Sequence, residues 1–175
     1  MTTEAAHDDG RADVHFVEVD TTDLSTDTRV ILAVIRIPAR NGEGHYPVIG
    51  GLVTLDDAWG TVEVVRVDTG WRRQGLGRAL VTAAEVAAGR GLGPSREFSS
   101  PGKALWRSLG RSVPRGTVTA RTAREGESYG ALLMSLVMGQ LLEGDLTTKT
   151  VLTDEVRDRI GGITVKLPDT HRSGR

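Results

Sequence analysis

The chain contains no cysteine, and this absence excludes two classes of protein. Neither a disulfide framework nor a thiolate nucleophile can be present. Aromatic residues make up only 4% of the 175 residues, so we expect a core built mostly of Val, Leu, Ile and Ala. A chain of this length buries one sizeable core, which favours a single compact domain over two.

The sequence also lacks the ligand spacing of a metal site and an apolar run long enough to span a bilayer. Four scattered histidines are present, namely His7, His15, His45 and His171. The first residues, Met1 to Glu4, do not have the basic-then-apolar order of a signal peptide. We therefore expect a cytoplasmic protein with no metal and no membrane partner.

The net charge is only −1, but the two signs are unevenly distributed along the chain. Acidic residues dominate from Glu4 to Asp27, where Arg11 is the single basic residue. Phe98 to Arg124 holds six basic residues and no acidic one. A nucleic-acid partner is disfavoured, because the stretch offers few stacking residues and no dense block of charge. A solvated basic face, or proximity to a phosphorylated ligand, stays open.

The most informative feature is a loop between a strand pattern and a helix pattern. Thr61–Val67 alternates and is rich in β-branched residues, which predicts a strand. Apolar residues then recur at the spacing of one helix face: Leu76, Ala79, Leu80, Ala83, Ala84 and Ala87. Between them lie Gly75 and Gly77, which let backbone approach a ligand closely. The free N–H groups at a helix start attract anions, and the neighbouring arginines add charge, so the loop predicts a pyrophosphate site.

Other phosphate loops fit this segment less well. No Gly-Lys-Ser/Thr tripeptide is present, as a Walker A loop requires. Leu80 stands where a Rossmann fingerprint needs its third glycine. An ordinary strand-to-helix turn with a basic rim remains the alternative.

Two blocks resemble the signature of the GNAT N-acetyltransferases. Val67–Leu80 contains the pattern Arg72-x-x-Gly75-x-Gly77 that is typical of the family. Phe98–Gly110 is similar to the family's second block, a short strand, a turn and a helix beside the pantetheine arm of the cofactor. The order and spacing of the blocks match the family, and the resemblance covers roughly residues 29 to 110.

The resemblance implies an α/β fold with a mixed, mostly antiparallel sheet flanked by helices. Together with the acidic composition of the first residues, it leads us to expect a disordered acidic tail (1–12), a GNAT-like core (13–116) and a divergent C-terminal extension packed on the core (117–175). It also implies acetyl-CoA as co-substrate, with its pyrophosphate on the loop and its pantetheine along the predicted strand, which splays from the next one. The implied cofactor-binding residues are Val65, Arg66, Val67, Arg72, Arg73, Gln74, Gly75, Leu76, Gly77, Arg78, Ser99 and Trp106.

The implied reaction is direct attack of an acceptor amine on the thioester, which requires a general base. Glu63 is the candidate, because even spacing places it on the same strand face as Val65 and Val67; a solvent-facing strand glutamate is the alternative. Relatives protonate the leaving thiolate with a tyrosine on the second-block helix, where this chain has Trp106 and no tyrosine. Ser99 or Ser100 could orient a water instead, or Tyr129 could approach from elsewhere.

Three functions follow as hypotheses. The first is an N-acetyltransferase for a small-molecule or protein amine. The second is an acyl-CoA-binding module without turnover, and the third is a nucleic-acid-associated protein. The acceptor is not identified by the sequence, and a homodimer is left open.

The rest of the chain is predicted more coarsely. The expected strands are 14–19, 29–37, 46–55, 96–100, 116–123 and 163–167. The expected helices are 75–88, 103–109, 131–142 and 154–159. The pair Gly50-Gly51 within the third strand predicts a bulge or a close approach of two backbones.

Overall fold

The computed structural model describes residues 10–22, 27–37, 46–55, 60–95, 97–98, 100–115, 118–119 and 148–168. Outside these residues lie most of the acidic tail, Ser99, Tyr129, most of the strand expected at 116–123, and the apolar helix at 131–142.

Nine strands and three helices are described. The strands are β1 (Arg11–Val19), β2 (Thr28–Ile35), β3 (Val48–Leu55), β4 (Thr61–Val67), β5 (Gly93–Pro94), β6 (Glu97–Phe98), β7 (Val118–Thr119), β8 (Thr148–Val151) and β9 (Thr164–Lys166). The helices are α1 (Leu76–Ala88), α2 (Ser100–Ser108) and α3 (Thr153–Ile160), and a short 3-10 turn occupies Thr69–Trp71.

Seven strands form one open sheet in the order β5-β4-β3-β2-β1-β8, with β9 also paired to β1. Every neighbouring pair in this sheet is antiparallel except β4 and β5, which are parallel. Strands β6 and β7 pair separately. The predicted α/β fold with a mixed, mostly antiparallel sheet is therefore confirmed.

The sheet forms where the sequence is apolar and β-branched. Strand β2 is buried on both faces, as its near-continuous apolar run predicts: Val30, Ile31, Leu32 and Ala33 are at most 1% exposed. Gly50 in β3 lies so close to β4 that an added Cβ would be 2.9 Å from the carbonyl oxygen of Arg66. The predicted close approach of backbones at Gly50-Gly51 is thus present.

Helix α1 packs its predicted face against the sheet. The predicted positions from Leu76 to Ala84 on this face are at most 1% exposed. The helix ends at Gly89, whose φ of 67° is the left-handed conformation that terminates helices.

The segment 148–168 contributes two strands, β8 and β9, to the main sheet. Strand β8 pairs with Val17 to Val19, and β9 pairs with Arg11 to Asp13, both along the outer edge of β1. Val165 of β9 is fully buried in the main core cluster. Arg11 and Ala12, which we expected in the disordered tail, are consequently the first residues of β1.

The antiparallel order decides where the predicted loop lies. The strands β2 and β4 end at the same end of the sheet at which β1 and β3 begin. The loop 68–75 follows β4 at this end of the sheet, and β9 pairs with the first residues of β1 at the same end. The loop and the last described strand are thereby brought together.

Candidate functional site

The start of α1 presents uncapped backbone donors. The first hydrogen bond of the helix runs from the N–H of Ala79 to the carbonyl oxygen of Gly75, at 3.1 Å. The preceding N–H groups have no carbonyl within the helix to reach. Among the described residues no side chain caps them, and the first turn contains no acidic residue. This helix end therefore carries positive potential and directed donors, which suits an anion.

The backbone of the loop is held in two unusual conformations. Gly75 has φ 85°, and Arg73 has φ 63°, a region that non-glycine residues rarely occupy. Two contacts hold the loop on either side. Trp71 is buried in the core, and the Gln74 side chain accepts a 2.6 Å hydrogen bond from the backbone N–H of Lys166 in β9. The loop is thus built by tertiary contacts and not by its own sequence alone.

Strands β4 and β5 separate immediately after they meet. Among the described residues, β5 pairs only with Thr61 and Val62 of β4. Strand β6 follows three residues later and pairs with β7 in the second sheet. Beyond Val62 the described residues therefore give β4 no strand partner on its β5 side. This side of β4, which we name the cleft, runs towards the start of α1.

The hydrogen-bond pattern shows which β4 groups face the cleft. The N–H of Asp68 donates to the carbonyl oxygen of Ile49 at 3.0 Å, so Asp68 and Arg66 direct their backbone groups towards β3. Alternation directs those of Val65 and Val67 towards the cleft. Consistent with this, the Nε of Arg72 donates to the carbonyl oxygen of Val67 at 2.9 Å from the side opposite β3.

Glu63 lies at a bulge where the cleft begins. Val53 pairs with Val64 and Thr54 with Val62, so Glu63 is the extra residue of β4. We expected it on the same face as Val65 and Val67, but Val62 takes that face and packs with them in the main cluster. The shift of register, which breaks the alternation, is the reason for the difference. Glu63 is half-buried, directly after the last pair between β4 and β5.

Helix α2 lies against the first turn of α1. A Cβ on Gly77 would be 3.1 Å from the Cδ1 of Leu105, so glycine lets the two helices approach. Ser100 is the first residue of α2 and is exposed. Trp106 is only 4% exposed and stacks under the guanidinium of Arg111, 5.3 Å from its ring centre.

Arg111 belongs to a buried clamp that sequence reasoning missed. Its Nη2 lies 2.6 Å from the Oε1 of Glu85 in α1, and its Nη1 donates to the carbonyl oxygen of Leu92. Glu85 also accepts a hydrogen bond from the N–H of Leu92. No signal in the sequence indicates that Glu85 is buried, because the apolar residues of α1 already form a continuous face without it.

The predicted site residues therefore divide into two groups. Brought together at the loop and cleft are Val65, Val67, Arg72, Arg73, Gln74, Gly75, Leu76, Gly77 and Arg78, with Glu63 at the start of the cleft. Arg66 is not among them, because its backbone faces β3 and its exposed side chain lies 3.7 Å from Asp68. The Trp106 side chain is buried in the core and so is not offered to the cleft.

An arrangement of this kind can bind an elongated ligand with an anionic end. The helix start and the exposed side chains of Arg73 and Arg78 would hold the anion, and the edge of β4 would pair with amide groups. Within the described part of the chain, no group of acidic or histidine side chains is placed to hold a metal ion. None of the described helices has both the length and the apolar character needed to cross a membrane.

Comparison with models of protein families, with curated proteins and with solved structures yields no match to this chain.

Proposed function

We propose that the chain is a GNAT-like N-acetyltransferase that moves an acetyl group from acetyl-CoA to an amine. The observation that carries the proposal is the separation of β5 from β4 beside the uncapped start of α1. The backbone edge of β4 and the anion site at the start of α1 then follow one another along the same direction. This arrangement matches a ligand that has amide groups along one arm and a diphosphate beyond them.

The cofactor would bind mainly through backbone. Its diphosphate would accept hydrogen bonds from the N–H groups of the first turn of α1, with Arg73 and Arg78 adding charge. Its pantetheine amides would pair with Val65 and Val67 as an added strand. The carbonyl oxygen of Val67 already accepts a hydrogen bond from Arg72, so the N–H of Val67 is the group of that residue left to pair with the pantetheine.

Chemistry would take place near Glu63, at the end of the cleft side of β4 that is farther from α1. The Glu63 carboxylate would take a proton from the acceptor ammonium, directly or through a water. The free amine would attack the thioester carbonyl, and collapse of the tetrahedral intermediate would form the amide and expel the CoA thiolate. The nitrogen gives up its surplus proton as the intermediate collapses, and a water oriented by Ser100 would pass a proton to the thiolate.

A second function, acyl-CoA binding without turnover, is favoured by one observation. The indole of Trp106 is buried under Arg111 on the helix that carries the acid tyrosine in the family. That helix therefore offers no tyrosine to protonate the thiolate.

Thermal unfolding with acetyl-CoA tests both functions together. Saturating ligand at about 100 times its Kd should raise the melting temperature by roughly 5–10 °C. No shift at any concentration would reject both. Release of free thiol across a panel of small amines and peptides then separates them: turnover with any amine supports the transferase, and a shift without turnover supports the binding module.

A further inference from the structure

An open cavity lies between the loop and the last described strand. Its volume is about 540 Å³, which is within the range of small-molecule sites. Gly70, Arg73 and Gln74 form one wall, and Lys166 to Pro168 form the other. None of its lining residues belongs to α2. The cavity therefore borders the proposed diphosphate site on the β9 side.

The cavity is lined by three basic side chains, from Arg11, Arg73 and Lys166. No acidic side chain among the described residues lines it. Arg11 is held in place by Thr164, whose hydroxyl and carbonyl oxygens accept its hydrogen bonds at 2.8 and 3.1 Å. The bond between Gln74 and the backbone of Lys166 fixes the two walls to each other. Three cations of one sign around one opening favour a ligand with more than one negative charge.

We propose that this cavity binds the 3′-phosphate of the CoA nucleotide, an inference that rests on the proposed acetyl-CoA function. In CoA one ribose connects the diphosphate to the 3′-phosphate, so the two groups must bind at neighbouring places. Arg73 and Gln74 belong both to the loop and to the cavity, which makes the cavity such a neighbour. A phosphomonoester carries close to two charges at neutral pH and is matched by several cations.

The sequence offers a competing place for this phosphate. Lys103 and Arg107, the first two basic residues of the stretch Phe98 to Arg124, lie on α2, which packs against the α1 start through Leu105. In one placement Lys166 contacts the 3′-phosphate, and in the other Lys103 does. Calorimetry with acetyl-CoA and with 3′-dephospho-acetyl-CoA distinguishes them, because the two ligands differ only in this group.

We expect the wild-type protein to prefer acetyl-CoA over its 3′-dephospho form. Lys166→Met should weaken acetyl-CoA binding roughly tenfold, as for one lost charge-assisted hydrogen bond, and leave the dephospho form unaffected. Arg73→Asn keeps a residue that tolerates the positive φ of this position; it should weaken both ligands, because Arg73 also adds charge at the diphosphate, and should weaken acetyl-CoA the more. Lys103→Met should keep the preference. Arg159→Met, an exposed position on α3, controls for net charge and should bind both ligands as the wild type does.

Each result separates the inference from the proposed function. Binding of neither ligand would reject the proposed function itself. Equal affinity of the wild type for the two ligands would overturn the inference alone. The same holds if Lys166→Met weakens both ligands equally, or if Lys103→Met abolishes the preference. Melting temperatures near that of the wild type show that each variant is folded.

Discussion

At Gly75 the backbone φ of 85° disfavours most side chains, although no atom lies within 4 Å of an added Cβ. Asparagine and aspartate tolerate this conformation best among the other residues, and they have nearly the same size. Gly75→Asp and Gly75→Asn therefore differ mainly in charge. We expect Gly75→Asp to abolish measurable acetyl-CoA binding, because its carboxylate would face the diphosphate, while Gly75→Asn retains most of the affinity. Calorimetry on both variants checks this.

Stability without ligand supplies the control for this pair. A negative charge at a helix start is favourable by about 0.3–1 kcal/mol, so the Gly75→Asp protein should melt no lower than the Gly75→Asn protein. If the two variants bind acetyl-CoA equally well, the diphosphate does not lie on this loop.

Glu63 can be tested with an isosteric change that leaves the bulge intact. Glu63→Gln removes the proton acceptor, so turnover should fall by about 10²-fold or more with little change in cofactor affinity. The loss should be smaller at high pH, where the acceptor amine is already neutral. Steady-state rates from pH 6 to 10 measure this, and Glu155→Gln on α3 is the matched control at an exposed position. An undiminished rate would remove Glu63 from the mechanism.

Between α1 and α2 the contact at Gly77 limits which changes are informative. A glutamate there would meet Leu105 and displace α2, since even a Cβ would be 3.1 Å from its Cδ1. If Gly77→Glu lost cofactor binding, the cause could equally be the displacement of α2 or the repulsion of the phosphate. Gly75 is the cleaner position for the test of charge.

The elements around the loop were predictable because their signals are local. The alternation of β4, the apolar face of α1 and the glycine at its end all lie within about 30 residues of one another. The bulge at Glu63 was not predictable, because it depends on the register with β3. The pairing of β9 with β1 joins residues more than 150 positions apart, and no local pattern specifies such a partner. The cavity formed by β9 was hidden for the same reason.

The clamp of Glu85 and Arg111 joins α1, the start of β5 and the end of α2. Because the Glu85 side chain is only 12% exposed, Arg111→Met would leave a largely buried carboxylate without its cation. We expect a loss of about 2–3 kcal/mol in the free energy of unfolding. Adding Glu85→Gln should recover part of this loss, since no charge is then buried. Urea unfolding of both proteins measures the effect; equal stability of Arg111→Met and wild type would show that the pair is dispensable.

At the scale of the whole molecule, the two ends of the described chain meet beside the loop. Gly10 accepts a hydrogen bond from the N–H of Leu167, and Arg11 is bonded to Thr164. Strand β9 thereby contributes to the core through Val165 and to the loop through Lys166. Folding of the sheet edge and formation of the candidate site are for this reason coupled.

Two valines of the C-terminal segment test how far the core depends on β9. Val165 is fully buried, whereas Val151 at the end of β8 is 61% exposed. Both valines lie in strands, so the loss of β-propensity on Val→Ala is similar at the two positions. The difference in unfolding free energy between the two variants therefore reports the effect of burial. Val165→Ala should lower the free energy of unfolding by about 1.5–3 kcal/mol, and Val151→Ala by less than about 0.5 kcal/mol. Chemical denaturation measures both, and equal losses would mean that β9 packs on the surface of a core that is complete without it.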